Sequence, residues 1–169
     1  LGGLVGSEMC IRDRIKYWIK DEKKHFEQIK MEKPFLLVLG NSGITADTSK
    51  LDIFVEKEIE RDPDMFALRL ETIISQGIEM KEAFETYNLK KVGEIMTANH
   101  KILIDMDLSH EILVDLCDRA ISLGALGAKV TGGGRGGYMS ALVPDKETQE
   151  KVAASFIADG YQTIKAQIG

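Results

Sequence analysis

The sequence predicts an α+β domain in which an antiparallel sheet is backed by several helices. Three observations carry that reading. Phe35-Leu36-Leu37-Val38-Leu39, following Pro34, is a continuous apolar run, the pattern of a strand buried on both faces. From about residue 49 to Gly124, apolar residues recur at helical spacing in four successive segments, each opened by a capping residue. Two short β-prone stretches then flank a glycine-rich loop, and a helix and an alternating strand follow. A close strand pair with mixed connections elsewhere implies an antiparallel sheet with helices packed on it. Neither internal repeats nor a low-complexity linker divide the chain.

Taken in order, residues 1–14 (LGGLVGSEMCIRDR) show no period and no cap. With neither a basic start nor a long apolar centre they do not read as a signal peptide. They resemble the in-frame translation of a sequencing adaptor joined to a truncated gene, so a non-native or disordered leader is expected and no function is drawn from its glycines. Ile15, Tyr17 and Ile19 alternate, predicting a strand at about 15–20, and a loop or second short strand is expected at 25–30, with His25 in solvent. The apolar run at 35–39 ends in the turn Gly40-Asn41-Ser42-Gly43, and Thr48 is expected to cap a helix over about 49–60. A strand leading through such a turn to a helix N-terminus is either an anion or substrate site or plain capping chemistry, and spacing alone leaves both open.

Asp62-Pro63 supplies an N-cap and a proline at the first helical position. Phe66, Leu70, Ile73, Ile74 and Phe84 then recur on that helix to about Tyr87. Asn88 opens the next helix, where Val92, Ile95, Met96, Asn99, Ile102, Leu103 and Met106 share a face, with helix packing the default role for Asn99 and His100. Ser109 is expected to cap a fourth helix ended by Gly124, in which Cys117 reads as a buried free thiol. Asp145 opens a helix of about 146–158 closed by Gly160, and Ile164, Ala166 and Ile168 alternate in a last strand.

The chain has 169 residues, 44% hydrophobic and 29% charged, with a formal net charge of −5 and no basic cluster, which points away from a nucleic-acid surface. Two cysteines give neither a disulfide framework nor metal-ligand spacing and suit a reducing, cytoplasmic setting. No run approaches the roughly 18 apolar residues of a membrane span.

The stretch with chemical content is Lys129-Val130-Thr131-Gly132-Gly133-Gly134-Arg135-Gly136-Gly137-Tyr138, with five glycines in six positions. Successive backbone N–H groups in such a loop can form a nest for phosphate or carboxylate oxygens, and the Arg135 guanidinium also suits phosphate. A tight turn between two strands is the equal alternative. Gly132, Gly134 and Gly137 spell G-x-G-x-x-G, but a dinucleotide fingerprint needs a helix after the loop, and Tyr138 to Val143 are β-prone and followed by Pro144. A Walker A loop would end in Gly-Lys-Ser/Thr, and a protein-kinase loop needs downstream motifs that the residues after Val143 do not supply.

Lys129 to Val143 closely resembles the third, C-terminal motif of the GHMP small-molecule kinases, and within them the mevalonate kinase branch in its archaeal form. The likeness runs over about residues 34–169, anchored also by Leu39-Gly40-Asn41-Ser42-Gly43-Ile44, Met96-Thr97-Ala98-Asn99-His100 and Gly124-Ala125-Leu126-Gly127-Ala128-Lys129. It implies a C-terminal GHMP kinase domain at 34–169 with a ferredoxin-like antiparallel sheet, residues 15–33 being the end of the preceding half. It implies transfer of the ATP γ-phosphoryl group to the mevalonate C5 hydroxyl, with Mg²⁺. Thr131, Gly132, Gly133, Gly134, Arg135, Gly136 and Gly137 would line the phosphate and substrate cleft, and Asn41, Ser42, Gly43 and Thr45 its substrate side. The family's Gly-Leu-Gly-Ser-Ser loop, Mg²⁺ ligands and catalytic Asp have no counterpart in these residues, so no catalytic or metal-binding side chain is assigned and the chain alone is expected to be inactive. The commoner loop carries small residues where Arg135 and Tyr138 stand. A small-molecule substrate, no nucleic acid, no membrane and room for a homodimer complete the expectation. Phosphomevalonate or homoserine kinase types, and a non-catalytic anion-binding or dimerisation module, stay open beside it.

Overall fold

The structure, a computed structural model, describes the backbone of residues 15–19 and 25–29 and, in full, residues 33–45 and 51–169. The leader at 1–14 and the Thr48 cap lie outside the described residues. Strands β1 (Ile15–Ile19) and β2 (His25–Ile29) form an antiparallel pair; of the loop or second short strand expected at 25–30, the strand is what forms. The main sheet holds β3 (Phe35–Asn41), β4 (Gly127–Val130), β5 (Tyr138–Val143) and β6 (Thr163–Ile168). Its order is β4-β5-β3-β6 with every neighbouring pair antiparallel, the ferredoxin-like order in which the first strand lies inside and the last at an edge. Helices α1 (Leu51–Arg61), α2 (Pro63–Glu85), α3 (Leu89–Asp105) and α4 (Glu111–Ser122) lie between β3 and β4, and α5 (Lys146–Ala158) between β5 and β6.

Side chains alternate across a strand, so the apolar run of β3 serves two cores. Val38 packs with Met139 and Ala141 of β5, Leu113 and Leu116 of α4, and Phe156 of α5. Phe35 and Leu37 face the other way, with Leu142, Ala83 of α2, and Val92, Ile95 and Met96 of α3. Helices therefore cover both faces of the sheet. On the second face, α3 lies directly against the start of β4: a side chain at Gly93 would fall on the Leu126 backbone, and one at Gly127 on the backbone of Gly93.

The caps explain where helices begin. Asp62, Asn88 and Asp145 accept the N–H groups of Met65 (2.9 Å), Lys91 (3.1 Å) and Thr148 (2.7 Å), as the sequence predicts. Gly124 and Gly160 end α4 and α5 with φ of 106° and 83°. The expected cap at Ser109 is corrected. His110 holds the N-cap position, its Nδ1 accepting the Ile112 N–H at 3.2 Å, while the Ser109 hydroxyl is buried without a partner. The reason is tertiary: the His110 N–H donates to the Gly134 carbonyl at 2.7 Å, which holds His110 extended and starts the helix one residue later. Ile164 is 43% exposed, because β6 is an edge strand.

His100 on α3 is 4% exposed and neither ring nitrogen has a partner. Burial pushes its pKa below 6.5, and the Lys129 charge adds to the shift, while Asp118 opposes it. The folded state therefore holds this ring neutral, whereas the unfolded chain takes up a proton once the pH falls below the ordinary histidine value. Denaturant unfolding is expected to show stability at its full value above 6.5 and falling as the pH drops toward the depressed folded pKa. His100→Leu is expected to flatten that acid limb, and an unchanged limb would place the loss in other groups.

Candidate functional site

The loop from Thr131 to Gly137 joins β4 to β5. Its base is closed twice on the Tyr138 carbonyl, by the Thr131 N–H and the Thr131 hydroxyl, both at 2.9 Å. Gly132, Gly134 and Gly137 have φ of 63°, 72° and 76°, the left-handed region where side chains are strained. The structure brings this loop against the turn at 41–45. Ser42 donates its N–H to the Gly137 carbonyl at 2.8 Å, and Gly137 donates its own to the Ile44 carbonyl at 2.9 Å. The two stretches singled out in the sequence thus form one joined backbone surface.

Side chains around that surface hold it rather than face a ligand. Asn41 Oδ1 accepts the Gly43 N–H at 2.9 Å, and the buried Ser42 hydroxyl accepts the Ile44 N–H at 3.2 Å. Gln162 Oε1 ties the ends together, accepting from Asn41 Nδ2 at 3.2 Å and from the Tyr138 hydroxyl at 3.1 Å. Thr45 is exposed. What remains available is backbone. Among the described residues the N–H groups of residues 132–136 have no partner; Gly132 is exposed, Gly133 and Arg135 are half-buried, and Gly134 and Gly136 are buried. A side chain at Gly43, Gly132 or Gly137 would meet no atom within 4 Å, so that side of the surface is open. Unpartnered amides on an open glycine face are the donor set that phosphate oxygens require.

The other side is closed. A side chain at Gly133 would meet Leu51 of α1, and one at Gly134 would fall on the Leu108 carbonyl. Arg135 is paired: its Nη1 donates to Asp107 Oδ1 at 2.9 Å and to the Asp107 carbonyl at 3.3 Å, and its guanidinium lies 4.6 Å from the Phe54 ring centre. Beside it a shallow hollow of about 450 Å³ is lined by Ile104, Asp107, Ser109, His110, Glu111, Val114 and Arg135. Below the loop, Lys129 Nζ donates to Asn99 Oδ1 at 2.7 Å and Asn99 Nδ2 to Gln76 Oε1 at 2.9 Å, pinning β4 to α3 and α2. Burial pushes the Lys129 pKa down and the neighbouring Cys117 thiol up to about 12, so Cys117 is no nucleophile. Among the described residues no three His, Cys, Asp or Glu side chains gather into a metal site, and no helix is long and apolar enough to cross a membrane.

Sequence reasoning missed Phe54, Asp107, His110 and Gln162 as supports of this site. Asp107 carries one local signal, a left-handed φ of 53° at the end of α3. The others touch the loop only through tertiary contacts.

An antiparallel sheet of this order with an open glycine loop on one hairpin defines a class, and the comparisons agree. Residues 80–162, about half of the chain, match the family model described as GHMP kinases C terminal, so this part of the chain is a GHMP kinase C-terminal domain. The mevalonate kinase of Pyrococcus horikoshii is 35% identical to it over 149 residues, 83% of this chain and 44% of that protein. Of solved structures, the L. major mevalonate kinase in complex with R-mevalonate matches with a TM-score of 0.84 at 24% identity, over 92% of this chain and 49% of that one. The Methanococcus jannaschii mevalonate kinase matches with a TM-score of 0.68 at 25% identity, over 89% of this chain and 46% of that one. The chain thus spans less than half the length of these relatives.

The two sides of the loop predict different costs. Gly132→Ala meets open space, so its cost is that of left-handed backbone, about 1–2 kcal/mol. Gly134→Val must also push the α3–α4 corner away, and thermal denaturation is expected to show the larger loss for it. Equal losses would mean that the corner yields freely.

Proposed function

We propose that this chain is the C-terminal part of an ATP-dependent mevalonate kinase, acting on the mevalonate C5 hydroxyl, with residues 34–169 as the domain and 15–33 as the end of the preceding half. The observation that carries the reading is the run of unpartnered amides at 132–136, solvent-exposed at Gly132 and half-buried at Gly133 and Arg135, on a loop joined by two hydrogen bonds to the 41–45 turn. The resemblance to archaeal mevalonate kinases supplies the substrate class.

Phosphoryl transfer needs positioning and charge neutralisation more than covalent chemistry from the protein. Bound ATP supplies the transferred group, and Mg²⁺ would be held by the remaining part of the protein. The loop's part is electrostatic: the unpartnered N–H groups of Gly132 and Gly133, on the accessible part of the loop, would offer partial positive charge to phosphate oxygens without moving during the reaction. Arg135 adds a full charge once it leaves Asp107. The 41–45 turn forms the substrate side through its backbone, since the Asn41 and Ser42 side chains are already engaged in holding its shape. Such a cleft has catalytic power only with the base and metal ligands of a longer chain. A substrate among the other GHMP kinases remains the second reading, because a TM-score of 0.74 to the Streptococcus pneumoniae phosphomevalonate kinase carries the same fold at 18% identity.

The test is ADP release by a full-length version with mevalonate, phosphomevalonate, homoserine and galactose as substrates. Mevalonate is expected to give the highest kcat/KM, and a preference for another of the four would reassign the enzyme within the family. In that protein Arg135→Ala is expected to raise the KM for ATP or lower kcat by about tenfold, the worth of one hydrogen bond to a charged group. It should leave the KM for mevalonate unchanged. Unaltered kinetics would make Arg135 a fastening for α1.

A further inference from the structure

Asp107 stands where a carboxylate is locally unfavourable. It follows Met106, the C-cap of α3, and adopts a φ of 53°, a position that glycine or asparagine fills at least cost. Its N–H donates to the Ile104 carbonyl at 2.9 Å and the next residue's N–H to the Leu103 carbonyl at 2.7 Å, so the backbone alone ends the helix. The side chain plays no part in that stop. A negative charge at a helix C-terminus also opposes the helix dipole. The Asp107 side chain is 67% exposed, and the partner that the structure gives it is Arg135, the single cation of the glycine loop.

We propose that the Asp107 carboxylate is a displaceable stand-in for phosphate: it holds Arg135 away from the amide face until a polyphosphate arrives and takes the guanidinium over. This rests on the phosphate-binding reading of the loop and adds its regulation. Carboxylate and phosphate are the two anions whose geometry the guanidinium fork matches, so one can replace the other. The exchange is cheap, because an ion pair this exposed contributes at most about 1 kcal/mol. Phe54 serves as a seat: the guanidinium lies over its ring in the paired state, so departure of Arg135 also removes a tie between the loop and α1. In the paired state the guanidinium is occupied, and a ligand with several phosphates releases it.

The test uses the 169-residue chain and inorganic tripolyphosphate, followed through the backbone amide signals of Gly132 to Gly137. Asp107→Asn keeps the left-handed turn and removes the competitor, so tripolyphosphate is expected to bind about two- to fivefold more tightly than to the wild type, the fold-change equivalent of a weak ion pair. Asp107→Asn in an Arg135→Ala background measures the plain effect of removing a negative charge, and the gain should be smaller there. An equal gain in both backgrounds overturns the stand-in and leaves the phosphate-binding loop in place. The same holds if Asp107→Asn weakens binding. No shift of any loop amide in any of the proteins, with folding verified by the dispersion of the remaining signals, overturns the loop reading together with the proposal.

Discussion

A loop made almost entirely of glycine cannot hold its own shape, and the architecture around it answers that constraint. The ordering cost of such a segment is the highest of any composition. Here it is met by backbone bonds from three directions: the Tyr138 carbonyl at the base, the Ser42 and Ile44 peptides on one flank, and the His110 N–H on the Gly134 carbonyl at the back. Each direction belongs to a different element. The central position of β3 carries the 41–45 turn to the loop, and the α3–α4 corner delivers His110. The sheet order and helix layers are thus arranged so that donors and acceptors converge where the chain itself provides no side chain.

The loop is also anchored from below through a half-buried cation. Lys129 lies two residues before Thr131, and its ammonium reaches Asn99, which reaches Gln76. An ammonium partly withdrawn from water favours a hydrogen-bond partner, so this relay helps to fix the register of β4 against α3. The backbone approach of Gly93 and Gly127 leaves α3 no room to slide. Rigid support beneath and displaceable ion pairing above is a sensible division for a site that must hold its amides still while admitting a charged ligand.

Much of this was legible in the residues. The apolar run at 35–39, the Asp62-Pro63 and Asn88 boundaries, Asp145 and the stopping glycines are local signals, set by backbone donors within three or four positions, and each appears in the structure. The two stretches of the candidate site were legible as glycine-rich breaks in the pattern. Their hydrogen-bonded junction was not, because nothing in the spacing of Ser42 and Gly137 reports that β3 and β5 are neighbours. The Ser109 cap failed for the same reason: a tertiary bond from His110 to Gly134 outweighed the local preference. Whether Arg135 faces phosphate or solvent stays open in the sequence, because Asp107 and Phe54 approach it from elements remote along the chain.

The two-sided burial of the sheet has a consequence for how this domain tolerates change. Ala128 and Val130 of β4 belong to the core under α4 and α5, whereas Lys129 between them reaches toward α3. The sheet is a partition, and a void opened in one compartment cannot be refilled by side chains from the other. The glycine loop grows from the strand that is rooted in both. A void in either compartment is therefore felt at the same glycine loop, and sequence drift in the two helix layers is coupled through β4.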